Sequence, residues 1–337
     1  MAMDLTLVWA GIISLAIIGY VVLDGFDLGL GMLFAVFPKR RDRDVMMNSV
    51  APVWDGNETW LVMGGGGLFA AFPFAYALIL PALYIPIIAM LLALVFRGVA
   101  FEFRWKTERW RGVWDLSFIG GSALAAFAQG VTLGGLIQGI EVDLATRSYA
   151  GGAFDFLTPF SVLTGLSVMI GYMLLGATWL VMKTEGDLQA RARFWSWVMA
   201  VGTVASILVV SLFTPYLEPA YFARWFTFPS ILFAGIVPLA VAATVVLLFR
   251  SLHVNHHDYR PFFLSLGLFV LSFVGLGVSL YPYVVPPSVT IWDAAAPEAS
   301  QIFMLFGAAV LLPLIVGYTA YAYWVFRGKI DPEEGYH

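Results

Sequence analysis

Asp24 and Asp27 interrupt the first apolar run of this chain, in VVLDGFDLGLGM, and Asp55 and Glu58 interrupt the second, in PVWDGNETWLVM. A fifth acid, Glu102, follows the third run. A carboxylate within a membrane span is costly and marks a functional position by default. The members of each pair are three residues apart, which puts them on one face of a regular helix. A carboxyl group in a low-dielectric site can take up and release protons near neutrality. The pattern therefore points to proton movement. A second reading is that these acids pair with Arg97 or Arg104, or cap helix starts, and serve assembly alone. That reading is strongest at Asp55, which is placed to cap the second span.

The elements that must hold these acids are membrane helices. The chain has 337 residues, 61% of them hydrophobic and only 12% charged, and a mean hydropathy of +0.86. A soluble domain carries about twice that share of charge. Nine apolar stretches approach the roughly 20 residues a crossing helix needs. They lie near 5–24, 56–73, 75–96, 114–138, 159–182, 194–214, 229–250, 261–284 and 301–326. The second and third form a tight hairpin around Pro73. The first continues helically past Asp24 toward Phe37, an excess that a tilt, a kink at its glycines or an interfacial extension would absorb. The start, MAMDLTLVWA, has no basic leader and reads as the beginning of the first span.

Basic residues set the orientation. Sixteen of the eighteen lysines and arginines fall in loops on one side, and only Arg147 and Arg224 on the other. Cytoplasmic loops hold the excess of positive charge. Nine spans then place the N-terminus outside and the C-terminus inside, with all five acids toward the cytoplasmic end. The fold expected is an all-α, single polytopic membrane domain over residues 1–337. Outer loops with Glu141, Asp143, Asp155, Asp293 and Glu298 are too short for a further domain. Trp105, Trp110, Trp195, Trp225 and Trp324 suit interfacial belts.

Absences also carry information. There are no cysteines, which excludes disulfides, thiolate-held iron–sulfur clusters and c-type haem attachment. Haem in a helix bundle is held by buried His, or by His with Met. No span contains a histidine. Met90, Met169, Met173, Met199 and Met304 lie in spans and read as packing residues. His253, His256 and His257 share a polar loop with Asp258, read as solvated rather than metal-binding. The run Gly64 to Gly67 and the pairs Gly130/Gly134 and Gly135/Gly139 read as close helix contacts.

Four stretches resemble subunit II of cytochrome bd-type quinol oxidases, in order along nearly the whole chain. They are DGFDLGLGML at 24–33, NSVAPVWDGNETWLV at 48–62, FRGVAFEFRWK at 96–106 and YPYVVPPSVTIWDA at 281–294. The short outer loops resemble the compact, cyanide-insensitive branch. The resemblance implies an inner-membrane enzyme of bacteria that oxidises quinol, reduces oxygen to water and generates a proton motive force. It implies two four-helix bundles, about 1–140 and 155–285, plus a last helix at 301–326. Haems of b type, and usually one of d type, sit in the partner, subunit I. A small single-helix accessory subunit often joins, and some members bind a ubiquinone in subunit II. No nucleic-acid partner is implied.

By the same resemblance Asp55 lies on a cytoplasmic proton route, Asp24 and Asp27 belong to its polar path, and Trp60 lies near an oxygen entry path. Many members have Gln where this chain has Glu58, which adds a titratable group. The rival from another class is a stand-alone proton-coupled transporter, whose sites lie near the membrane midplane.

Overall fold

The structure is a computed structural model that describes residues 4–253 and 257–330. Asp4 starts the first helix, α1 (Leu5–Leu33), by accepting the Thr6 and Leu7 amides at 3.0 and 3.3 Å. Its other carboxylate oxygen accepts the Trp292 indole N–H at 2.9 Å. That bond and the two amides hold the Asp4 carboxyl below its usual range. The helix runs uninterrupted for 29 residues, about 43 Å at 1.5 Å per residue. This exceeds a crossing, as the sequence suggests.

After α2 (Arg40–Asn48) and α3 (Trp54–Ala71) the chain departs from expectation. A single turn at Pro73 is predicted, followed by a span at 75–96. Instead a short helix, α4 (Pro73–Ala82), intervenes before α5 (Tyr84–Lys106). Proline explains the break. Pro73 opens α4 with no N–H to donate, and the Pro86 ring would clash with the Ala82 carbonyl in a continuous helix. Then come α6 (Arg111–Ile137), the two-residue strands β1 (Val142–Asp143) and β2 (Ser148–Tyr149), α7 (Pro159–Lys183), α8 (Gly186–Phe213) and α9 (Pro219–Phe226).

The stretch expected as a span at 229–250 is α10 (Ser230–Ala234) followed by α11 (Ile236–His253), parted at Gly235. Pro238 would clash with the Ala234 carbonyl in an unbroken helix. The next helix, α12 (Arg260–Leu280), ends before Pro282, earlier than predicted. Its continuation is a hairpin of β3 (Tyr283–Val285) and β4 (Val289–Thr290), then α13 (Ile291–Ala294) and α14 (Glu298–Val325).

Nine crossings are predicted. Among the described residues, eight helical stretches are long and apolar enough to cross a membrane: α1, α5, α6, α7, Gly186–Tyr216, Ser230–His253, α12 and α14. The second expected span is helical as α3 but too polar to join them. Its first turns carry Asp55, Asn57 and Glu58, and its middle is four glycines.

Packing centres on α1, which touches α3, α6 and α7; α6 lies between α5 and α7, and α7 also packs on α8 and α12. The α1–α7 contact depends on missing side chains. A Cβ on Gly29 would overlap the Tyr172 carbonyl, and one on Gly176 would meet the Leu30 amide. Gly130 and Gly134 seat α6 on Thr164 and Ser161 of α7, as the small-residue pattern predicts. In the glycine run, Gly64 and Gly67 face Ile17 and Ile13 of α1, whereas Gly65 and Gly66 face open space. On the core side Phe26 stacks on Trp179 at 4.3 Å between centroids.

Two sets of bonds tie the ends. On the side of the N-terminus, the Ile140 amide donates to the Pro286 carbonyl at 3.0 Å and the Ala296 amide to the Ala71 carbonyl at 2.8 Å. The segment 281–296 thus joins the ends of α1, α3 and α6. At the opposite end, Lys183 donates to the Phe326 carbonyl at 2.5 Å, and the Ile330 amide to the Lys183 carbonyl at 2.9 Å. Lys329 reaches Asp258 at 2.7 Å, and Asp258 also accepts from Gln189 and Arg193 at 2.8 and 3.1 Å. His253 and His257 are exposed; His256 lies outside the described residues.

Two outcomes follow from these contacts. Gly29→Ala should lower the thermal stability of the detergent-extracted chain by about 1–3 kcal/mol or more, because a packed backbone must move. Gly65→Ala, on the open face, should change it by less than about 0.5 kcal/mol. Burial pushes the Asp258 carboxyl up, but hydrogen bonds from Lys329 and Gln189 outweigh it and leave it below its usual value. Such a group stabilises the folded state above the ordinary carboxylate value, about 3.9, and stops doing so as pH falls through the lower folded value. The protection factor of the Ile330 amide, its intrinsic exchange rate divided by the observed rate at each pH, should therefore stay constant from pH 7 to about 5 and fall only in stronger acid.

Candidate functional site: a buried arginine among three acids

Arg97 is fully buried on α5. Its Nη1 lies 2.7 Å from Asp24 Oδ1 and 2.7 Å from Glu58 Oε1, and its Nη2 lies 3.5 Å from Asp27 Oδ2. Three elements converge here: α1 supplies both aspartates, α3 the glutamate and α5 the arginine. Asp24 and Asp27 are fully buried, while the Glu58 side chain retains 27% exposure. The three-residue spacing on α1 brings both aspartates to one guanidinium, as a shared helix face requires.

Polar partners extend the cluster two ways. Asn57 donates to Asp27 Oδ2 at 2.8 Å and to the Leu23 carbonyl at 3.1 Å, and accepts the Tyr323 hydroxyl of α14 at 2.9 Å. On the other side Tyr20, one turn before Asp24, accepts from Gln129 of α6 at 2.7 Å. Gln129 in turn accepts from Tyr172 of α7 at 2.7 Å. Six helices thus meet in one network. Asp24 Oδ1 is close to the guanidinium but out of line for a hydrogen bond. Both Asp24 oxygens, Asp27 Oδ1 and Arg97 Nε are buried without a hydrogen-bond partner among the described residues.

The stoichiometry limits what the cluster can do. With all groups ionised, three carboxylates and one guanidinium leave two surplus negative charges. A buried surplus is costly. The cluster can shed it by holding protons while keeping one ion pair, so it has the parts of a proton-exchange site. Among the described residues, no group of three or more His, Cys, Asp or Glu is arranged to hold a metal ion.

A sequence profile of cytochrome bd terminal oxidase subunit II matches residues 5–326. The chain belongs to that family. It is 33% identical over 368 residues to the cytochrome bd-I ubiquinol oxidase subunit 2 of Escherichia coli K12, covering 98% of this chain and 96% of that one. It is 32% identical over 337 residues to the cytochrome bd ubiquinol oxidase subunit 2 of Bacillus subtilis 168, covering 97% of each. In fold it is similar to a chain of the bd oxidase from Geobacillus thermodenitrificans. That likeness has a TM-score of 0.80 at 19% identity and covers 96% of this chain and 99% of that chain. This subunit II is therefore one component of a respiratory oxidoreductase in a membrane. The family implies a partner subunit that carries the haems.

Against the sequence reading, the structure gathers three of the five acids and separates two. Asp55 sits in the first turn of α3 with its side chain on the exposed face, while Asn57 and Trp60 of the same helix turn inward. Asp55 lies one turn from Glu58 on α3, as their spacing requires, but on the exposed side of that face, and it does not cap the helix: the N-cap is Val53, with no side-chain cap bond. Glu102 does not join the cluster. It is 54% exposed and pairs with Lys106 one turn on, at 3.3 Å. The extra turns of α5 beyond Arg97 carry it away. Trp60 packs on Gly19 and beside Tyr20 and Ala16.

Arg104, the other candidate partner for these acids, binds a different pair. It reaches Asp115 at 2.5 Å and Asp44 at 2.8 Å, and Arg43 and Arg111 complete that second network. Sequence reasoning also missed Asn57, Tyr20, Gln129, Tyr172 and Tyr323. Tyr20 had a signal in its four-residue spacing from Asp24; Tyr323 had none.

Arg97→Leu should destabilise the assembled subunit by about 3–5 kcal/mol, because it strands buried carboxylates. Adding Asp24→Asn and Asp27→Asn should recover much of that loss. Yield and melting of the extracted complex measure both. Equal stability of Arg97→Leu and the parent would contradict the pairing.

Proposed function

We propose that this chain is the quinol-oxidase subunit that lines the cytoplasmic proton supply of its haem-bearing partner. The observation that carries the reading is the buried cluster with three acids for one arginine. One acid would satisfy the pairing; the surplus suits proton exchange. Glu58, half in and half out, connects Arg97 to the exposed face of α3, where Asp55 stands one turn away. On this reading Asp24 and Asp27 hold the inner end of the path, Glu58 bridges it, and Asp55 relays protons across the boundary to subunit I. Glu102 stays outside as a surface ion pair. The Trp60 indole packs on α1 beside the path, and its oxygen-entry role rests on the family resemblance alone.

The wider picture agrees with this placement. Nine crossings, with α3 as the second, put the N-terminus outside and the segregated lysines and arginines inside. Helices α1, α3, α5 and α6 form one four-helix bundle, α7, α8, α11 and α12 a second, and α14 stands apart as the ninth crossing. In the cytoplasmic (inner) membrane of a bacterium, subunit I would carry haems b and usually d. Quinol oxidised there near the outer face would release protons outside, while oxygen reduction would draw protons from inside through the acids of this chain. A ubiquinone in this chain and a small single-helix accessory subunit are further expectations of the resemblance. The comparisons do not favour a stand-alone proton-coupled transporter.

Asp55→Asn keeps size and hydrogen bonding but removes the titrating group. The relay reading expects full haem content with quinol oxidase turnover reduced at least about ten-fold, a conservative bound beneath the roughly 10²–10⁴-fold that a positioned proton carrier contributes. Full haem with unchanged turnover would refute it. A purely structural role expects the reverse: poor assembly in Asp55→Ala and near-normal enzyme in Asp55→Asn.

A further inference from the structure

The cluster's Asp27 arm ends at a cavity that the path through Glu58 and Asp55 does not use. Asn57 and Tyr323 border a space of about 10 Å³ between the start of α3 and the last turns of α14, together with Pro52, Gly56 and Thr319. That is close to the least volume one water needs. Its position at residues 52–57 puts it at the same end of α3 as Asp55. The Tyr323 ring is fixed edge-on to Phe26 and Trp179, at 6.4 and 6.3 Å between centroids. Its hydroxyl hydrogen goes to Asn57 Oδ1 at 2.9 Å, so its oxygen lone pairs remain for a donor in the cavity. Both Asn57 amide hydrogens are committed, to Asp27 and to the Leu23 carbonyl. Behind them Asp27 Oδ1 is buried and without a partner.

We infer that the seam between α3 and α14 is a side entry through which water supplies protons to Asp27, with Asn57 at its inner wall and Tyr323 as the positioning residue that fixes the Asn57 amide. A flipped amide would turn its carbonyl toward the Asp27 carboxylate, and the Tyr323 hydroxyl prevents this by donating to that carbonyl. The inference rests on the reading of the acid cluster as a proton path and adds a point of entry to it, apart from the exposed Asp55 through which that path leaves for subunit I. It also gives α14 a task, since no residue in its most apolar stretch is buried.

The test uses the assembled two-subunit oxidase in lipid vesicles, with haem content, quinol-driven oxygen uptake and the solvent deuterium isotope effect measured together. Tyr323→Phe removes only the hydroxyl. Gly56→Ala adds one methyl to the cavity wall, 3.6 Å from Tyr318, an ordinary contact. Tyr321→Phe, on the exposed side of the same helix, is the control. Both test variants are expected to keep their haem, to lose about five-fold in turnover, the effect of one orienting hydrogen bond, and to show a larger isotope effect. Tyr321→Phe should match the parent. Asp27→Asn separates the two claims. If it slows turnover while Tyr323→Phe and Gly56→Ala do not, the side entry is wrong and the proton path stands. If Asp27→Asn is also at parental turnover, both are wrong. Should Tyr323→Phe lose haem, Gly56→Ala decides alone: slowed turnover supports the entry, and parental turnover overturns it.

Discussion

A guanidinium taken out of water must be given counter-charge, and much of this fold can be understood as the means of bringing that charge to Arg97. The arginine stands on α5, its partners on α1 and α3, and each is held by further bonds to α6, α7 and α14. Desolvating one cation and three carboxylates is costly unless geometry and hydrogen bonding are good. Some of that geometry is incomplete, since several carboxylate oxygens lack aligned donors. Incomplete satisfaction and surplus negative charge are poor choices for stability alone. They suit the proton path proposed for these acids.

The backbone geometry serves the same end. The glycines that follow the two aspartates do not bend α1; they let α7 approach it until backbone meets backbone. That contact carries Tyr172 toward Gln129 and closes the Tyr20 side of the network. The motif DGFDLGLG is therefore two devices in one stretch: acids that face α3 and α5, and glycines that face α6 and α7. A substitution at either kind of position would reach the site, by charge in one case and by helix spacing in the other.

The second ionic network, around Arg104, Asp44 and Asp115, has a different character. Its charges nearly balance, and it lies where the connection between α1 and α3 meets the ends of α5 and α6. The positive residues expected to orient the chain are thus in part neutralised by acids of α2 and α6. Orientation depends on the lysines and arginines themselves and little on neighbouring acids, so pairing does not weaken the signal.

Composition alone determined that this is a multi-helix membrane chain, because apolar length and charge depletion survive any arrangement in space. The spacing of Asp24 and Asp27 determined that they share a face, because helical periodicity is local. Four short motifs determined the family. The sequence could not decide which acids meet. Glu102 and Glu58 look alike as text, yet one ends on the surface and the other on Arg97, because only the packing of α3 against α1 sets that distance. Asp55 lies one turn from Glu58 on α3, yet the neighbouring helices cover Glu58 and leave Asp55 exposed. Tyr323 lies 266 residues from Asn57, and no local pattern joins them. Contacts between distant helices were left to the tertiary structure, since they depend on how closely backbones approach. Here that approach is set by glycines whose neighbours the sequence does not name.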